Sequence, residues 1–151
     1  MGDSTPKNVP IEVDFTGISY NPASNQWIVP PKTPVFTMEK KTKVKAGDNT
    51  ITWTATGKNP PSGFTPSMPG PTGGIAFTAD SHWPYDQPKA TAAMVYTVDD
   101  NFAEPPPKDT DYPYTVTVTL TSITDASVTR NFTYDPDVQN EGPPPVVNVS
   151  E

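Results

Sequence analysis

A short aromatic and polar loop, "DSHWPYD" at residues 80–86, holds the side chains of this sequence best suited to chemistry. Rings beside carboxylates are typical of sugar-binding surfaces, because the C–H faces of a sugar pack on rings while its hydroxyls bond carboxylates. The same rings could instead plug one end of a β-sandwich. The loop therefore predicts one candidate ligand-binding set, which consists of Asp80, His82, Trp83, Tyr85 and Asp86.

His82 is the only histidine of the chain, and Asp80 and Asp86 flank it in sequence. A histidine near carboxylates could join a metal site or act as a general base, so a small hydrolase-type enzyme is one alternative. No second histidine, serine elbow or paired-glutamate motif accompanies it. We therefore predict no catalytic residue, no metal ligand and no cofactor.

A second polar loop, "DDNFAEPPPKDTD" at residues 99–111, is rich in side-chain oxygens. Calcium takes roughly six to eight oxygen ligands, so this loop is a candidate calcium site. The spacing of an EF-hand is absent, however, and the proline run at 105–107 stiffens the middle of the loop. The sequence favours a solvated acidic loop, with calcium binding as the alternative.

The stretch "KVKAGDNTITWTATG" at residues 43–57 predicts a hairpin, in which a strand from about 34 to 45 turns at Asp48-Asn49 and pairs with "TITWTAT". It resembles the second hairpin of cupredoxins, and an inward Trp53 resembles the core tryptophan of immunoglobulin-like sandwiches. A blue-copper site needs a cysteine and two histidines. Because the chain has no cysteine and one histidine, a blue-copper site, disulfides and cysteine-ligated zinc are excluded. Trp53 is predicted to lie in the core.

Composition and charge exclude further classes of function. The net charge is −7 and Arg130 is the only arginine, whereas nucleic-acid binding needs a basic face. No apolar run is long enough to span a membrane, and the first ten residues contain no signal-peptide core. We therefore expect no nucleic-acid or membrane partner. The sequence as written predicts a cytoplasmic protein, although a secreted protein without its signal peptide would look the same.

The alternation of apolar and polar residues predicts an all-β fold. Valine, isoleucine, threonine and aromatic residues favour strands, and proline-rich and glycine-rich segments separate them. "VPIEVDF" and "YTVTVTLT" alternate with period two, which is typical of half-buried strands. We predict an antiparallel two-sheet sandwich, immunoglobulin-like or cupredoxin-like, with seven to nine strands. The predicted limits are a flexible lead-in at 1–8, a sandwich domain at 9–138 and a disordered tail at 139–151.

The end of the predicted fold carries "YDPDVQNEGPPP" at residues 134–145. On a small, cysteine-free, all-β chain, Asp135-Pro136 resembles the bacterial family of unknown function that carries the "DP-EP" label. Glu141-Gly142-Pro143 stands where an uninterrupted Glu-Pro would complete that pattern. The resemblance implies a β-sandwich, and it implies no activity and no site residues.

These observations favour a non-catalytic binding or assembly module. The threonine-rich faces suit a solvated sheet that associates with a second copy, or with a protein partner, through an edge strand. The first alternative is a carbohydrate-binding module that uses the 80–86 loop, and the second is an enzyme that uses His82.

Overall fold

Residues 4–79 and 82–143 are those that the computed structural model describes, and they form an all-β fold. Two sheets pack face to face as a sandwich, and a small hairpin lies beside them. The described residues contain thirteen strands, more than the seven to nine predicted: β1 Ser4–Asp14, β2 Ser19–Asn21, β3 Gln26–Ile28, β4 Val35–Thr37, β5 Lys41–Val44, β6 Asp48–Lys58, β7 Phe64–Ser67, β8 Ile75–Phe77, β9 Lys89–Ala92, β10 Val95–Asp99, β11 Thr110–Ser122, β12 Thr129–Tyr134 and β13 Asp137–Asn140.

The first sheet has the strand order β4-β1-β6-β10-β9. At its centre β1 and β6 pair in parallel over eleven residues each, whereas an antiparallel sandwich was predicted. Alternate residues of both strands turn inward, as the period-two pattern predicts. The buried hydrophobic side chains of this pair are Val9, Ile11, Val13, Ile51, Trp53 and Ala55.

The second sheet is built around the long strand β11. The pairing of β11 with β13 continues the register of its pairing with β12, so β12 and β13 lie end to end along one edge of β11. Strands β7 and β8 pair with the opposite edge. Strand β5 pairs in parallel with the outer edge of β13, which is the second departure from an antiparallel arrangement.

Aromatic contacts between the two sheets form the centre of the core. Trp53 of β6 packs edge-on against Tyr114 of β11, with ring centroids 5.4 Å apart. Phe15 meets Phe132 in the same way at 5.9 Å. Trp53 is 1% exposed, which confirms the prediction that it is a core residue.

The predicted hairpin around Asp48-Asn49 is wrong. The expected strand at 34–45 is two strands, and β4 pairs with β1 while β5 pairs with β13. Residues 38–40 therefore carry the chain from one sheet to the other. Local alternation continues across this crossing, so the sequence pattern contains no sign that the strand changes sheets.

Other boundaries differ from the predicted ones in smaller ways. The proline-rich and glycine-rich segment at 57–74 contains β7, and residues 89–99 form a hairpin of β9 and β10. Strand β1 begins at Ser4, so residues 4–8 of the predicted lead-in are paired with β6. Strand β13 extends to Asn140, two residues past the predicted limit of the domain. Within the described ranges no helix has the length and hydrophobicity needed to cross a membrane.

Candidate functional site

Trp83 of the aromatic loop lies against the end of the core. Its ring stacks on Phe77 with centroids 3.8 Å apart and planes 3° apart, and Tyr85 and Tyr112 meet it edge-on. Its indole Nε1 donates a hydrogen bond to the backbone carbonyl of Asp86 at 2.9 Å. Because one ring face is covered, Trp83 has the geometry of a half-buried plug.

Two polar members of the predicted set, His82 and Asp86, are exposed residues beside this plug. His82 is exposed and has a positive φ of 59°, and Asp86 is also exposed. Asp80 lies outside the described residues. Within the described part of the chain, no group of three histidine, cysteine, aspartate or glutamate residues is placed to hold a metal ion.

Tyr85 is the member of the set that borders open space. Its hydroxyl donates to the backbone carbonyl of Asn101 at 2.7 Å, which fixes the ring at the rim of the sandwich. Burial raises the pKa of Tyr85, and the nearby carboxylate of Asp100 raises it further. The ring lines a groove of about 650 Å³, together with charged side chains that include Asp86, Lys89 and Asp99.

Asp100 is fully buried beside this rim and connects three strands. Its Oδ1 accepts a hydrogen bond from Asn140 Nδ2 at 3.0 Å, and its carbonyl accepts one from Asn49 Nδ2 at 3.1 Å. Burial raises the pKa of Asp100 to about 6, and the bond from Asn140 opposes this change. Asp100 Oδ2 and Asn140 Oδ1 have no protein hydrogen-bond partner. The sequence predicts a solvated loop at Asp100, so the burial of this residue was not predicted.

Three other carboxylates of the 99–111 loop, those of Asp99, Asp109 and Asp111, make separate local contacts. Asp99 accepts a hydrogen bond from Thr50 at 3.2 Å, and Asp109 accepts one from the backbone N–H of Gly142 at 2.8 Å. Asp111 forms an ion pair with Lys41 at 3.1 Å. These contacts give each carboxylate a structural role at a different point of the surface.

A different site, which the sequence did not predict, is the outer edge of β12. Strand β5 covers the outer edge of β13, where the N–H of Asp137 donates to the carbonyl of Lys40 at 2.7 Å. On the N-terminal side of Lys40 the chain belongs to the first sheet, so it does not run along this edge. No strand within residues 4–79 and 82–143 pairs with the outer edge of β12. We call the space beside Thr129–Tyr134 the open lane.

The alternation of hydrogen-bonded and non-bonded residues along β12 shows which of its backbone N–H and C=O groups face the open lane. Tyr114 N donates to Pro136 O at 3.0 Å, and Ser122 N donates to Val128 O at 2.9 Å, at the two ends of the β11–β12 ladder. Because bonded and non-bonded pairs alternate in an antiparallel ladder, the even-numbered residues of β12 bond to β11. The residues that turn their N–H and C=O groups into the lane are Thr129, Asn131 and Thr133.

The open lane has two chemically different sides. On the solvent face, Asn131 accepts a hydrogen bond from Thr119 at 2.6 Å, and the hydroxyls of Thr121 and Thr129 are 3.2 Å apart. On the inner side Phe36 of β4 stacks on Tyr134 with centroids 5.5 Å apart.

The lane lies along a groove of about 480 Å³ between β12 and the segment at 29–36. Its lining includes Val29, Pro34 and the half-exposed Val35. Lys32 and Arg130 also line it, and no carboxylate does. The groove is therefore partly apolar and positively charged, on a chain whose net charge is −7.

The fold and the two sites define an all-β sandwich with an aromatic end and an open sheet edge at β12. No protein-family model matches this sequence, and no curated protein resembles it closely enough to count as a relative. The resemblance to the DP-EP family stays a prediction.

Proposed function

We propose that this protein is a non-catalytic assembly module that pairs the edge strand β12 with a strand of a second polypeptide chain. One observation carries the proposal: β5 covers the outer edge of β13 but leaves that sheet before it reaches β12. An unpaired strand edge is a template for further pairing, and adding a strand to such an edge is a common mode of recognition.

The physical chemistry of the open lane supports association. Thr129, Asn131 and Thr133 offer backbone donors and acceptors, and each hydrogen bond formed is worth about 0.5–1.5 kcal/mol net. Proline, which protects many natural edges, is absent from β12, and Arg130 is its single charged residue. The guanidinium of Arg130 lies over the ring of Phe132 at 5.7 Å.

The test compares the mass of the full chain with that of two edge variants. Asn131→Pro removes an outward N–H, and Thr133→Lys places a charge beside the lane. Both should shift the protein from oligomer to monomer in sedimentation experiments. Thr54→Lys, at an exposed position inside the first sheet, is the matched control and should leave the mass unchanged. A full chain that is monomeric at every concentration, or variants that all associate equally, would contradict the proposal.

Carbohydrate binding is the second candidate, and the groove beside Tyr85 favours it. A fixed ring next to charged side chains could stack on a sugar while the polar groups bond its hydroxyls. Tyr85→Ala should then abolish a glycan-dependent change in tryptophan fluorescence, and Tyr85→Phe should retain it. A panel of glycans that leaves the fluorescence of the unaltered protein unchanged would count against this candidate.

A further inference from the structure

We propose that residues 146–150 of a second copy of this chain are the strand that fills the open lane. The inference rests on the proposed function and identifies the partner strand. Residues 144–151 lie outside the described part of the chain.

The sequence of the segment matches the two sides of the lane. In "VVNVS", Val147 and Val149 alternate with Asn148 and Ser150. In a strand, alternate residues face opposite sides of the sheet. One register therefore turns Val147 and Val149 toward the apolar side of the groove, and it places Asn148 and Ser150, together with Val146, in line with the threonine and asparagine face of β12.

The charge of the segment also fits the groove. The lining residues include Lys32 and Arg130 without a carboxylate, and Glu151 follows the apolar segment directly. Because the whole chain is acidic, a positively charged groove is an uncommon environment on its surface. An acidic group at the end of the incoming strand would interact favourably with it.

The distance along β11 excludes pairing of the segment with β12 of its own chain. The N–H of Gly142 is bonded to Asp109, while the lane begins beside Thr133, which pairs with Thr117. At about 3.3 Å per residue, these two levels of β11 are roughly 26 Å apart. In an extended chain, residue 146 lies at most about 14 Å and residue 150 at most about 29 Å from Gly142, so residues 146–150 cannot lie along the lane of their own chain. The donor must therefore be another copy.

The first experiment removes the segment and then returns it as a peptide. A chain ending at Gly142 should sediment as a monomer while the full chain associates. A labelled peptide of residues 143–151 should bind the shortened chain, as measured by fluorescence anisotropy. Val147→Asp with Val149→Asp in the peptide should weaken binding at least about tenfold, because both apolar side chains are lost. Asn148→Asp, on the opposite face, is the matched control and should bind nearly as well.

The second experiment introduces single cysteines. Because the unaltered chain has no cysteine, any interchain disulfide must join the introduced residues. An Asn148→Cys chain is mixed with a Thr129→Cys, Asn131→Cys or Thr133→Cys chain, with oxidised glutathione as the oxidant. Directly opposed residues of paired strands have Cβ atoms about 4.5–5.5 Å apart, so at least one combination should form an interchain disulfide rapidly. Thr91→Cys, on exposed β9 of the other sheet, is the control partner.

The outcomes separate this inference from the proposed function. If the shortened chain still associates, and if Thr133→Lys abolishes that association, then a different strand fills the lane. That result would overturn the inference and leave the proposed function intact. Disulfides that form no faster than with Thr91→Cys would also overturn the inference. Association that is indifferent to both the truncation and the edge variants would overturn both proposals.

Discussion

Trp53 of the first sheet donates a hydrogen bond from its indole Nε1 to the hydroxyl of Tyr114 of the second sheet, at 3.0 Å in the buried core. The same two rings meet edge-on, so one pair of residues supplies packing and a polar contact between the layers. Burial raises the pKa of Tyr114 well above its usual range, which keeps the hydroxyl neutral and able to accept this bond.

Replacing Trp53 should therefore test the core directly. Trp53→Ala should lower the free energy of unfolding by about 3–5 kcal/mol, because it empties a large aromatic site and removes the hydrogen bond to Tyr114. Urea denaturation of the two proteins measures the difference. A loss below about 1 kcal/mol would contradict the burial of this ring.

The pH dependence of stability should report the burial of Asp100. Its folded-state pKa is raised from 3.8 to about 6, so the folded protein binds more protons than the unfolded chain between these values. The contribution of Asp100 to stability is therefore largest below its unfolded pKa and is lost as pH rises through its folded pKa. The free energy of unfolding of Asp100→Asn, relative to the unaltered protein, should rise by roughly 2–3 kcal/mol between pH 4 and pH 7.

The neighbouring residue supplies the control for this measurement. Asp99→Asn makes the same chemical change at an exposed position, so its free-energy difference should stay nearly constant over the same pH range. If Asp100→Asn and Asp99→Asn give parallel curves, the pKa of Asp100 is not raised in the folded protein.

Removing the plug at the end of the sandwich should cost stability. Trp83→Ala loses the stacked contact with Phe77 and should lower the free energy of unfolding by about 1–3 kcal/mol, which a thermal melt detects as a reduced melting temperature. Asp86→Ala, whose side chain is exposed, should change stability by at most about 0.5 kcal/mol. Equal melting temperatures for all three proteins would argue against the plug.

Gly74 should be intolerant of any side chain. A Cβ at this position would lie 2.7 Å from the ring of Tyr96, which is 1% exposed and has little room to move. Gly74→Ala should therefore destabilise the protein by about 1–3 kcal/mol in denaturant melts. In a Tyr96→Val background the penalty should largely disappear, because the clashing ring is absent. If the free-energy changes of Gly74→Ala and Tyr96→Val simply add in the double variant, the ring of Tyr96 is not the cause of the destabilisation.

Much of the architecture can be predicted from local sequence patterns. The alternation in β1, β6 and β11 correctly identifies which residues turn inward, because a half-buried strand requires that pattern. Asn21-Pro22 is likewise a strong local turn signal, and it lies between β2 and β3.

The pairing of strands could not be predicted in the same way. Residues 38–40 change sheets within an uninterrupted strand-like pattern, and the parallel partners of β1 and β5 lie far away in sequence. The burial of Asp100 likewise depends on Asn140, which reaches it from the end of another strand. The open lane follows from these long-range arrangements, so no local motif indicates it.

The parallel pairing of β5 with β13 also sets the order in which the protein can be completed during synthesis. Lys41 pairs with Asp137, so β5 is made long before its partner strand exists. The strands of the first sheet are all present once Asp99 has left the ribosome, whereas the second sheet must wait for the last described strand. A nascent or truncated chain that stops before residue 137 would therefore leave β5 without its partner strand β13, in addition to the open edge of β12, and it would be vulnerable to aggregation and proteolysis.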